Sequence, residues 1–335
     1  MTQQTLTLDG IQDLPEGPMT FGERVNMLKQ YGGHSQSFST LQPGMHYFDV
    51  PGVGYIGYMK KWGMNFVLSD PVCAPEHREF LLSRFERSIS NVAYIQVSRP
   101  VVDILSERFG YYGTQFGSEA RVDLSKWSLK GKKKQVIRTA LNQAQEAGIT
   151  VQERFSDDHT REISDAWIKT RKVKSKEIRF LIRPMHMEYR ENERHFYAYQ
   201  DGKAVGFIYF DPIYHKNEIV SYVPNISRAN ANFRQGIFYT LMAHAMEVFQ
   251  AEGVPYLDLG LIPLSLHDDN EPQESRILKG LCRKVYEHGN MFYNFKGLEF
   301  TKSRFRGEVE KTYCCHKPAL PLLEFLAMFK LTRLL

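Results

Sequence analysis

The sequence predicts an α/β (α+β) protein in which one arrangement, a mixed sheet flanked by helices, occurs twice in tandem. Each half of the chain reads as strands, helix, strand, helix and strand, although the halves share no obvious sequence identity. In the second half, a long apolar helix expected at about residues 233–252 ends at Gly253, and the short strand YLDLG follows at once. With 335 residues, the chain is long enough for two domains of ordinary size.

The first domain is placed at residues 21–128, after a loose leader at residues 1–20. It is predicted to begin with a short helix, Phe21 to Tyr31, which Gly32 and Gly33 end. The elements expected after it are strands at 45–50, 53–60 and 64–69, a helix at 76–90, the strand NVAYIQVS, a helix at 101–109, and strands at 111–116 and 120–124.

A basic amphipathic helix is predicted to connect the halves within residues 129–150. If residues 135–147 are helical, the apolar side chains share one arc, Lys134, Arg138 and Asn142 lie on the opposite arc, and Gly148 ends the helix. The polar arc offers two cations and an amide, each one turn apart. Two interpretations stay open, a site that holds a phosphate or a substrate carbonyl and an ordinary solvated face.

The second domain is placed at residues 151–316. The stretches HFYAYQ and AVGFIYF flank Asp201 and Gly202, a strong turn signal, and predict a hairpin. The remaining elements expected are a strand at 217–223, the helix at 233–252, the strand YLDLG, a helix near 274–288 and a strand at 291–295. The apolar and basic residues 317–335 predict a helix that either closes this domain or lies in a membrane interface.

The distribution of charge points to a polyanionic partner. The net charge is only +5, but Lys and Arg cluster at 126–138, 169–176 and 302–311. Basic patches next to aromatic residues suit RNA or anionic lipid headgroups. For any single cluster, a solvated face that keeps the protein soluble is an equally good interpretation.

The composition excludes several classes of protein. The polar N-terminus is not a secretory signal, and no apolar run approaches the ~20 residues that span a bilayer. The four cysteines form no C-x-x-C pair, and His186, His195 and His215 lack metal-ligand spacing. We therefore expect a cytoplasmic, reduced chain without a metal site.

The loop after YLDLG is the first candidate site. Residues 259–265, LGLIPLS, follow a buried strand and contain Gly260 and Pro263, which end it. In sheets of this kind, ligands bind outside the carboxyl ends of the strands.

Three stretches resemble one family, the bacterial phosphatidylglycerol lysyl- and alanyltransferases. LKGKKKQVIRTALNQAQEAGI resembles their Lys-rich, Leu-Arg-x-x-x-Asn helix, and YLDLGLIPLS resembles their Phe-Asn-Leu-Gly-Met-Ala-Pro-Leu-Ser loop. FYNFKGLEFTKSRFRGEVEKTY is similar to their Phe-x-Gly-Leu-Arg-x-Phe-Lys-x-Lys-Phe-x-Pro-x-Trp tail. LSDPVCAP and GSEARVDLSKWSLKGKK add weaker support, and the resemblance covers residues 40–316 in the right order.

The resemblance implies a tandem of two GNAT-type domains that moves an amino acid from aminoacyl-tRNA to a hydroxyl group of a membrane phospholipid. The expected partners are aminoacyl-tRNA and an anionic phospholipid or membrane surface, without DNA. The resemblance also implies that no cofactor is needed, because aminoacyl-tRNA is the donor, and that the protein reaches lipid peripherally, on the inner face of the cytoplasmic membrane. An aminoacyl ester is already activated, so the enzyme mainly aligns the hydroxyl, removes its proton and stabilises the oxyanion.

The resemblance also assigns candidate residues. Lys302 and Arg304 occupy the two Lys positions of the tail, and with Asp258 they are the predicted catalytic residues. Asp258 stands where the family has Asn, and it is either a general base or a strand Asp bonded to neighbouring backbone. The predicted substrate-binding residues are Lys134, Arg138, Asn142, Gly260, Pro263, Ser265 and Phe305.

Departures from the family pattern fall on positions expected to hold substrate. Tyr239 replaces an Asp, Glu299 replaces the Arg of Gly-Leu-Arg, Val309 replaces the Trp, and no Asp-x-Met-Arg stretch is present. The amino acid and the acceptor therefore stay open. Two other functions do as well, an acyl-CoA-dependent N-acyltransferase acting on an amine or aminolipid and a non-catalytic lipid- or RNA-binding module.

Overall fold

A computed structural model describes residues 16–170, 177–185, 189–230, 234–269, 271–288 and 294–333. The helices are α1 (Phe21–Tyr31), α2 (Arg78–Ser88), α3 (Arg99–Phe109), α4 (Gln135–Glu146), α5 (Thr160–Lys169), α6 (Arg234–Ala251), α7 (Arg276–His288), α8 (Phe295–Ser303) and α9 (Leu322–Thr332). The strands are β1 (His46–Val50), β2 (Gly54–Lys61), β3 (Met64–Leu68), β4 (Val72–Cys73), β5 (Val92–Val97), β6 (Tyr112–Asp123), β7 (Thr150–Glu153), β8 (Arg194–Gln200), β9 (Lys203–His215), β10 (Glu218–Ala229), β11 (Tyr256–Asp258), β12 (Ile262–Pro263) and β13 (Glu308–His316).

The strands of the described residues form one mixed sheet, which confirms the predicted fold class. Its order is β1-β2-β3-β5-β13-β6-β11-β10-β9-β8-β7, with β4 on β2 and β12 on β6. The pairs β3–β5 and β10–β11 are parallel, and the other pairs are antiparallel. The order therefore repeats on the two sides of the β13–β6 contact.

The two halves exchange their last strands. β13 comes from the end of the chain but lies beside β5 of the first half, whereas β6 ends the first half and lies beside β11 of the second. β13 and β6 also pair with each other from Glu308↔Arg121 to His316↔Tyr112. Each half thus supplies the last strand of the other half's sheet, and the chain forms one continuous sheet. The domain limits remain a prediction.

Local sequence explains several helix ends. α1 begins with a capping box in which Thr20 Oγ1 accepts from Glu23 N at 3.2 Å and Glu23 Oε2 accepts from Thr20 N at 2.6 Å. α6 ends before Gly253, whose φ of +79° lies in the left-handed region that glycine adopts easily. Both helices were predicted from sequence, and both are confirmed over the described residues.

Helices cover both faces of the sheet. On the first half, α2 and α3 pack on one face through Leu82, Phe85 and Val101, while α7 and α9 share a cluster on the other face through Cys282 and Met328. In the second half, α6 packs between the sheet and α4 in a single core cluster, whose helix members are Ile137, Ala140, Ile237, Tyr239, Leu241, Met242, Ala243, Ala245, Met246 and Phe249.

Two predicted boundaries are wrong. The strands expected at 111–116 and 120–124 are one strand, β6, because Gly117 is not a turn residue there. A Cβ atom on Gly117 would lie 2.5 Å from the Ile262 carbonyl oxygen, so this glycine admits β12. The strand expected at 291–295 falls partly outside the described residues, and its last residue, Phe295, begins α8.

Candidate functional site

The carboxyl ends of the two parallel pairs face each other across the middle of β6. β5 approaches from one end. Its last residue, Val97, pairs with Tyr313 of β13, and Tyr313 pairs on its other side with Gln115 of β6. β11 approaches from the other end, with Asp258 opposite Arg121. Ligands in α/β sheets bind beyond such carboxyl ends. Two such places therefore converge here, and we call residues 117–121 of β6 with their neighbours the seam.

Asp258, a predicted catalytic residue, is buried in an ion pair at the seam. Arg121 Nε donates to both carboxylate oxygens at 3.1 Å, and Ser221 Oγ donates to Oδ2 at 2.6 Å. Burial raises the pKa of Asp258, and the Arg121 charge opposes that rise. Because both oxygens are engaged, this geometry suits a residue that orients Arg121, whose side chain is 36% exposed. A role for Asp258 as general base stays a prediction.

Lys302 reaches the same place from α8. Its Nζ donates to the Leu261 carbonyl oxygen at 2.8 Å, and no carboxylate of the described residues lies within ion-pair distance of it. Burial lowers the pKa of Lys302 to about 8, although the charge of Glu119 opposes the change. A lysine of this kind supplies a neutral amine near physiological pH, as a general base requires.

Gly260 brings the loop close to this amine. Its φ is +69°, and an added Cβ would lie 3.3 Å from Val223 Cγ2 and 3.6 Å from Lys302 Nζ. A side chain at this position would therefore be strained and would crowd the lysine. The structure thus places two of the predicted residues, Gly260 and Lys302, in one site.

Ser265 and Pro263 shape the other side of the loop. Pro263 pairs with Gly117 of β6, and Ser265 Oγ donates to Glu299 Oε1 at 2.8 Å. The Ser265 carbonyl oxygen accepts from Ser118 Oγ at 2.8 Å. Glu299, which replaces the Arg of the family pattern, therefore has a local partner in the loop.

Arg304 and Phe305 follow Lys302 but face different surroundings. Phe305 is fully buried against Phe238 and Tyr239, a position in the core that anchors the end of α8. The Arg304 guanidinium lies 3.7 Å from the centre of the Phe300 ring. Its Nε is buried and has no hydrogen-bond partner among the described residues. An unpaired donor of this kind suits an anion.

The connecting helix α4 is amphipathic as predicted, but two of the predicted cations already donate to backbone carbonyl oxygens. Arg138 Nη1 donates to the carbonyl oxygen of Gly131 at 2.8 Å, and Lys134 Nζ donates to Ser128 O at 2.7 Å. Burial lowers the pKa of Lys134, and so does the neighbouring charge of Arg306. The structure therefore brings Lys134 next to the tail that follows α8, whereas the exposed Asn142 is tied to the seam by no hydrogen bond within the described chain.

Sequence reasoning missed Glu119, Arg121, Ser35 and Gln96. The available signal was the alternation of charged and apolar residues in the stretch SEARVD, which is typical of a strand with one polar face. Glu119 and Arg121 lie on one face of a strand whose other face, Ala120 and Val122, belongs to the core. Ser35 and Gln96 gave no signal, because each contacts Glu119 only after folding.

Other features of the described chain offer less chemistry. A cavity of about 460 Å³ opens at the far edge of the sheet, where Arg154 and Asp201 are the charged groups lining it. Cys314 and Cys315 are buried, and burial raises the pKa of both thiols, so neither is a ready nucleophile. No group of three or more His, Cys, Asp or Glu residues in the described ranges is arranged to hold a metal ion.

Comparisons with known proteins identify the family to which the chain belongs. A family model described as "Phosphatidylglycerol lysyltransferase, C-terminal" matches residues 25–316. A phosphatidylglycerol lysyltransferase of Staphylococcus aureus is 23% identical over 313 residues, covering 90% of this chain and 36% of that protein. The chain thus spans about a third of the length of this relative.

Two solved structures show the same fold. The C-terminal domain of a putative lysylphosphatidylglycerol synthetase from Agrobacterium fabrum superposes with a TM-score of 0.74 at 21% identity, covering 92% of this chain and 96% of that one. A structure of L-PGS from Bacillus licheniformis gives a TM-score of 0.75 at 20% identity, covering 92% and 95%.

Proposed function

Because the chain belongs to the family of phosphatidylglycerol lysyltransferase C-terminal regions, we propose that it transfers an aminoacyl group from aminoacyl-tRNA to a hydroxyl group of a membrane phospholipid such as phosphatidylglycerol. The observation that carries the proposal is the seam itself. There, Lys302 without a carboxylate partner in the described chain lies next to the Gly260 loop, and Arg121 is held by Asp258 on the adjacent strands.

The proposed reaction needs one base and one anion-binding group. The neutral Nζ of Lys302 takes the proton of the acceptor hydroxyl while its oxygen attacks the ester carbonyl. The bond from the carbonyl carbon to the ribose oxygen then breaks, a new ester forms, and the ribose oxygen receives the proton from Lys302. No cofactor takes part, since the donor ester is already activated.

Arg121 is suited to the phosphate of the incoming lipid. Its Nε donates to Asp258, which fixes the guanidinium, and the side chain remains about a third exposed. Arg121 lies opposite the last residue of β11, next to the loop that contains Gly260. A planar guanidinium binds phosphate oxygens in pairs. We assign the tRNA to the basic surface of α4 and the tail, where Lys134 and Arg306 lie close together and Lys130, Lys132 and Lys133 are near in sequence.

The membrane surface we propose consists of α7 and α9. Among the described residues, no helix combines the length and apolar character that crossing a bilayer requires. On α7, the side chains of Ile277, Leu281 and Val285 are exposed at successive turns. On α9, Leu322, Leu323 and Leu326 are exposed, and Leu323 is 74% exposed.

Charge complements this apolar surface. The exposed Arg276 and Lys284 on α7 and the exposed Lys330 and Arg333 at the end of α9 surround it with cations. Apolar side chains with basic neighbours bind the interface of an anionic bilayer. We therefore place the protein peripherally on the inner face of the cytoplasmic membrane, where aminoacyl-tRNA is available.

The experiment supplies both donors to the same protein. Total tRNA charged with labelled amino acids, and separately labelled acyl-CoA, are each incubated with the protein and liposomes containing phosphatidylglycerol, and the lipid phase is read by mass spectrometry. An aminoacyl ester of a phospholipid formed only from aminoacyl-tRNA supports the proposal. Label entering lipid only from acyl-CoA contradicts it and favours an N-acyltransferase, and label entering from neither favours a binding module.

A further inference from the structure

A cluster of hydrogen-bond acceptors lies within the seam, where the carboxyl end of the first parallel pair approaches β6. Its centre is the Glu119 carboxylate on β6. Ser35 Oγ donates to Glu119 Oε1 at 2.9 Å, and Gln96 Nε2 donates to the same oxygen. Both donors are neutral, and no cation of the described chain lies within ion-pair distance of Glu119.

Gln96 leaves an acceptor unused at this point. Its side chain is fully buried, its amide is turned toward Glu119, and its Oε1 has no hydrogen-bond partner among the described residues. A buried polar atom without a partner loses its hydrogen bond to water without replacing it, which destabilises the fold. Such an atom gains a hydrogen bond when a donor from a ligand or a water molecule reaches it.

The backbone holds Gln96 in place at a cost. Its φ is +58°, in the left-handed region that a residue with a Cβ seldom adopts. Ser69, which follows the adjacent parallel strand, has a φ of +72°, and its buried Oγ also lacks a partner in the described chain. Strained residues of this kind cluster where a ligand is bound.

Acidic charge accumulates on the same face. Glu310 of β13 pairs directly with Glu119, and Glu308 pairs with Arg121. Like charges directly opposite each other in an antiparallel pair are destabilising. Arg121 lessens the repulsion but is already paired with Asp258. The face therefore carries more negative charge than its own cations neutralise.

We propose that Glu119, with Ser35 and Gln96, binds the protonated α-amino group of the aminoacyl donor. An ammonium group has three N–H donors, which can bond to the Glu119 carboxylate and to the unpaired side-chain oxygen Oε1 of Gln96. Glu119 and Lys302 lie at the same part of the seam, because Lys302 Nζ donates to the Leu261 carbonyl oxygen and the next residue, Ile262, pairs with Ser118 of β6. The α-amine is separated from the ester carbonyl by one carbon atom, so an amine at Glu119 places that carbonyl toward Lys302.

This inference rests on the proposed function for the identity of the amine, but its test does not. Two probes are used, lysinamide alone and a short RNA helix that carries its amino acid through a stable amide. The RNA probe is made with a free α-amine and with an acetylated one, and binding is measured by calorimetry.

We expect the wild type to bind the free amine about 10- to 100-fold more tightly than the acetylated form, as for a hydrogen bond to a charged group. Glu119→Gln keeps the size of the side chain, and it should remove that preference while binding of the RNA helix survives. Glu218→Gln, which removes an exposed carboxylate elsewhere, is the matched control and should keep the preference. Ser35→Ala should weaken it less, and it replaces Glu119→Gln as the test variant should the latter unfold.

Each outcome decides something different. Equal binding of free and acetylated amines by the wild type, or an unchanged preference in Glu119→Gln, overturns the proposal and leaves Glu119 a structural carboxylate. Glu119-dependent binding of lysinamide by a protein that transfers nothing to lipid supports the amine site while the proposed function fails. Efficient transfer to lipid from both free and acetylated donors supports the proposed function and contradicts the amine site.

Discussion

Two groups of buried charges in this molecule differ in how completely they are paired. Beneath the second half of the sheet, Arg183 lies 2.7 Å from Asp211 and 3.1 Å from Glu193, and all three side chains are shielded from solvent. His195 presents both ring nitrogens to oxygen atoms, Nε2 to Glu193 and Nδ1 to the Phe155 carbonyl, each at 2.8 Å. Asp211 also accepts from the Asn225 side-chain amide at 2.7 Å, so the charged groups of this network have partners within the second half.

The seam is arranged differently. Its Arg121–Asp258 pair is open to solvent on the Arg side, Lys302 has only a carbonyl oxygen as partner, and Glu119 has only neutral donors within the described chain. A network of ion pairs that is shielded from solvent stabilises one structure, whereas charged groups that lack an ionic partner can bind a ligand. The difference indicates a structural role for the Arg183 network, and it supports the proposal that the seam is the active centre.

The largest expected effect tests the sealed network. Asp211→Ala leaves Arg183 buried beside a single carboxylate and should lower the free energy of unfolding by about 3–5 kcal/mol, measured by urea denaturation. Asp258→Ala is the comparison, because its partner Arg121 can turn to water, and it should cost about 1–2 kcal/mol. Equal losses in the two variants would remove the distinction between the networks.

Lys302→Met should reduce activity strongly and stability little, the opposite of what is expected for Asp211→Ala. Loss of a general base should reduce lipid aminoacylation by about 10²–10⁴-fold. The melting temperature should stay close to that of the wild type, since the substitution replaces a desolvated amine with an apolar side chain. Lys203→Met, in the β8–β9 turn, is the control and should transfer normally. A Lys302 variant with wild-type activity would exclude this residue as the base.

Asp258→Asn separates the two roles considered for that residue. If Asp258 orients Arg121, the variant should raise the KM for lipid about tenfold, the effect of weakening one charged hydrogen-bonded pair, with little change in kcat. A fall in kcat of a hundredfold or more at unchanged KM would instead identify Asp258 as the general base.

The membrane surface should produce the smallest effect. Leu281→Glu on α7 and Leu323→Glu on α9 should each reduce sedimentation with anionic liposomes about three- to tenfold, because each removes apolar contact and adds repulsion. Phe155→Glu, at an exposed apolar position on another part of the surface, should sediment like the wild type. Loss of sedimentation in all three variants, or in none, would place membrane contact elsewhere.

Much of the fold is predictable because its signals are local. The apolar periodicity of α6, the Asp201-Gly202 turn and the capping of α1 each depend on neighbouring residues. β13 was missed because its first residues, EVEK, are charged, and its partners in β5 and β6 lie some 200 residues earlier in the chain. The exchange of last strands has no local signal.

The candidate site follows the same rule. Gly260 and Lys302 were predicted because they belong to contiguous motifs, and the structure brings both to the seam. Ser35, Gln96 and Glu119 come from three separate segments, joined only by strand pairing and by the left-handed backbone at Gln96. Neither a polar residue in a strand nor a serine in a loop reveals such a partner from sequence.

The measurement that tests the central claim most directly is the pH dependence of aminoacyl transfer to phosphatidylglycerol liposomes in a single turnover. Burial lowers the pKa of Lys302 from 10.5 to about 8, and the neutral amine is the reactive form. The wild-type rate should therefore rise with pH, reach half of its maximum near pH 8 and level off above roughly pH 9, and the residual rate of Lys302→Met should lack that step. A wild-type rate that is flat between pH 6.5 and 9, or a step that persists in Lys302→Met, would contradict the assignment of the seam as the active centre.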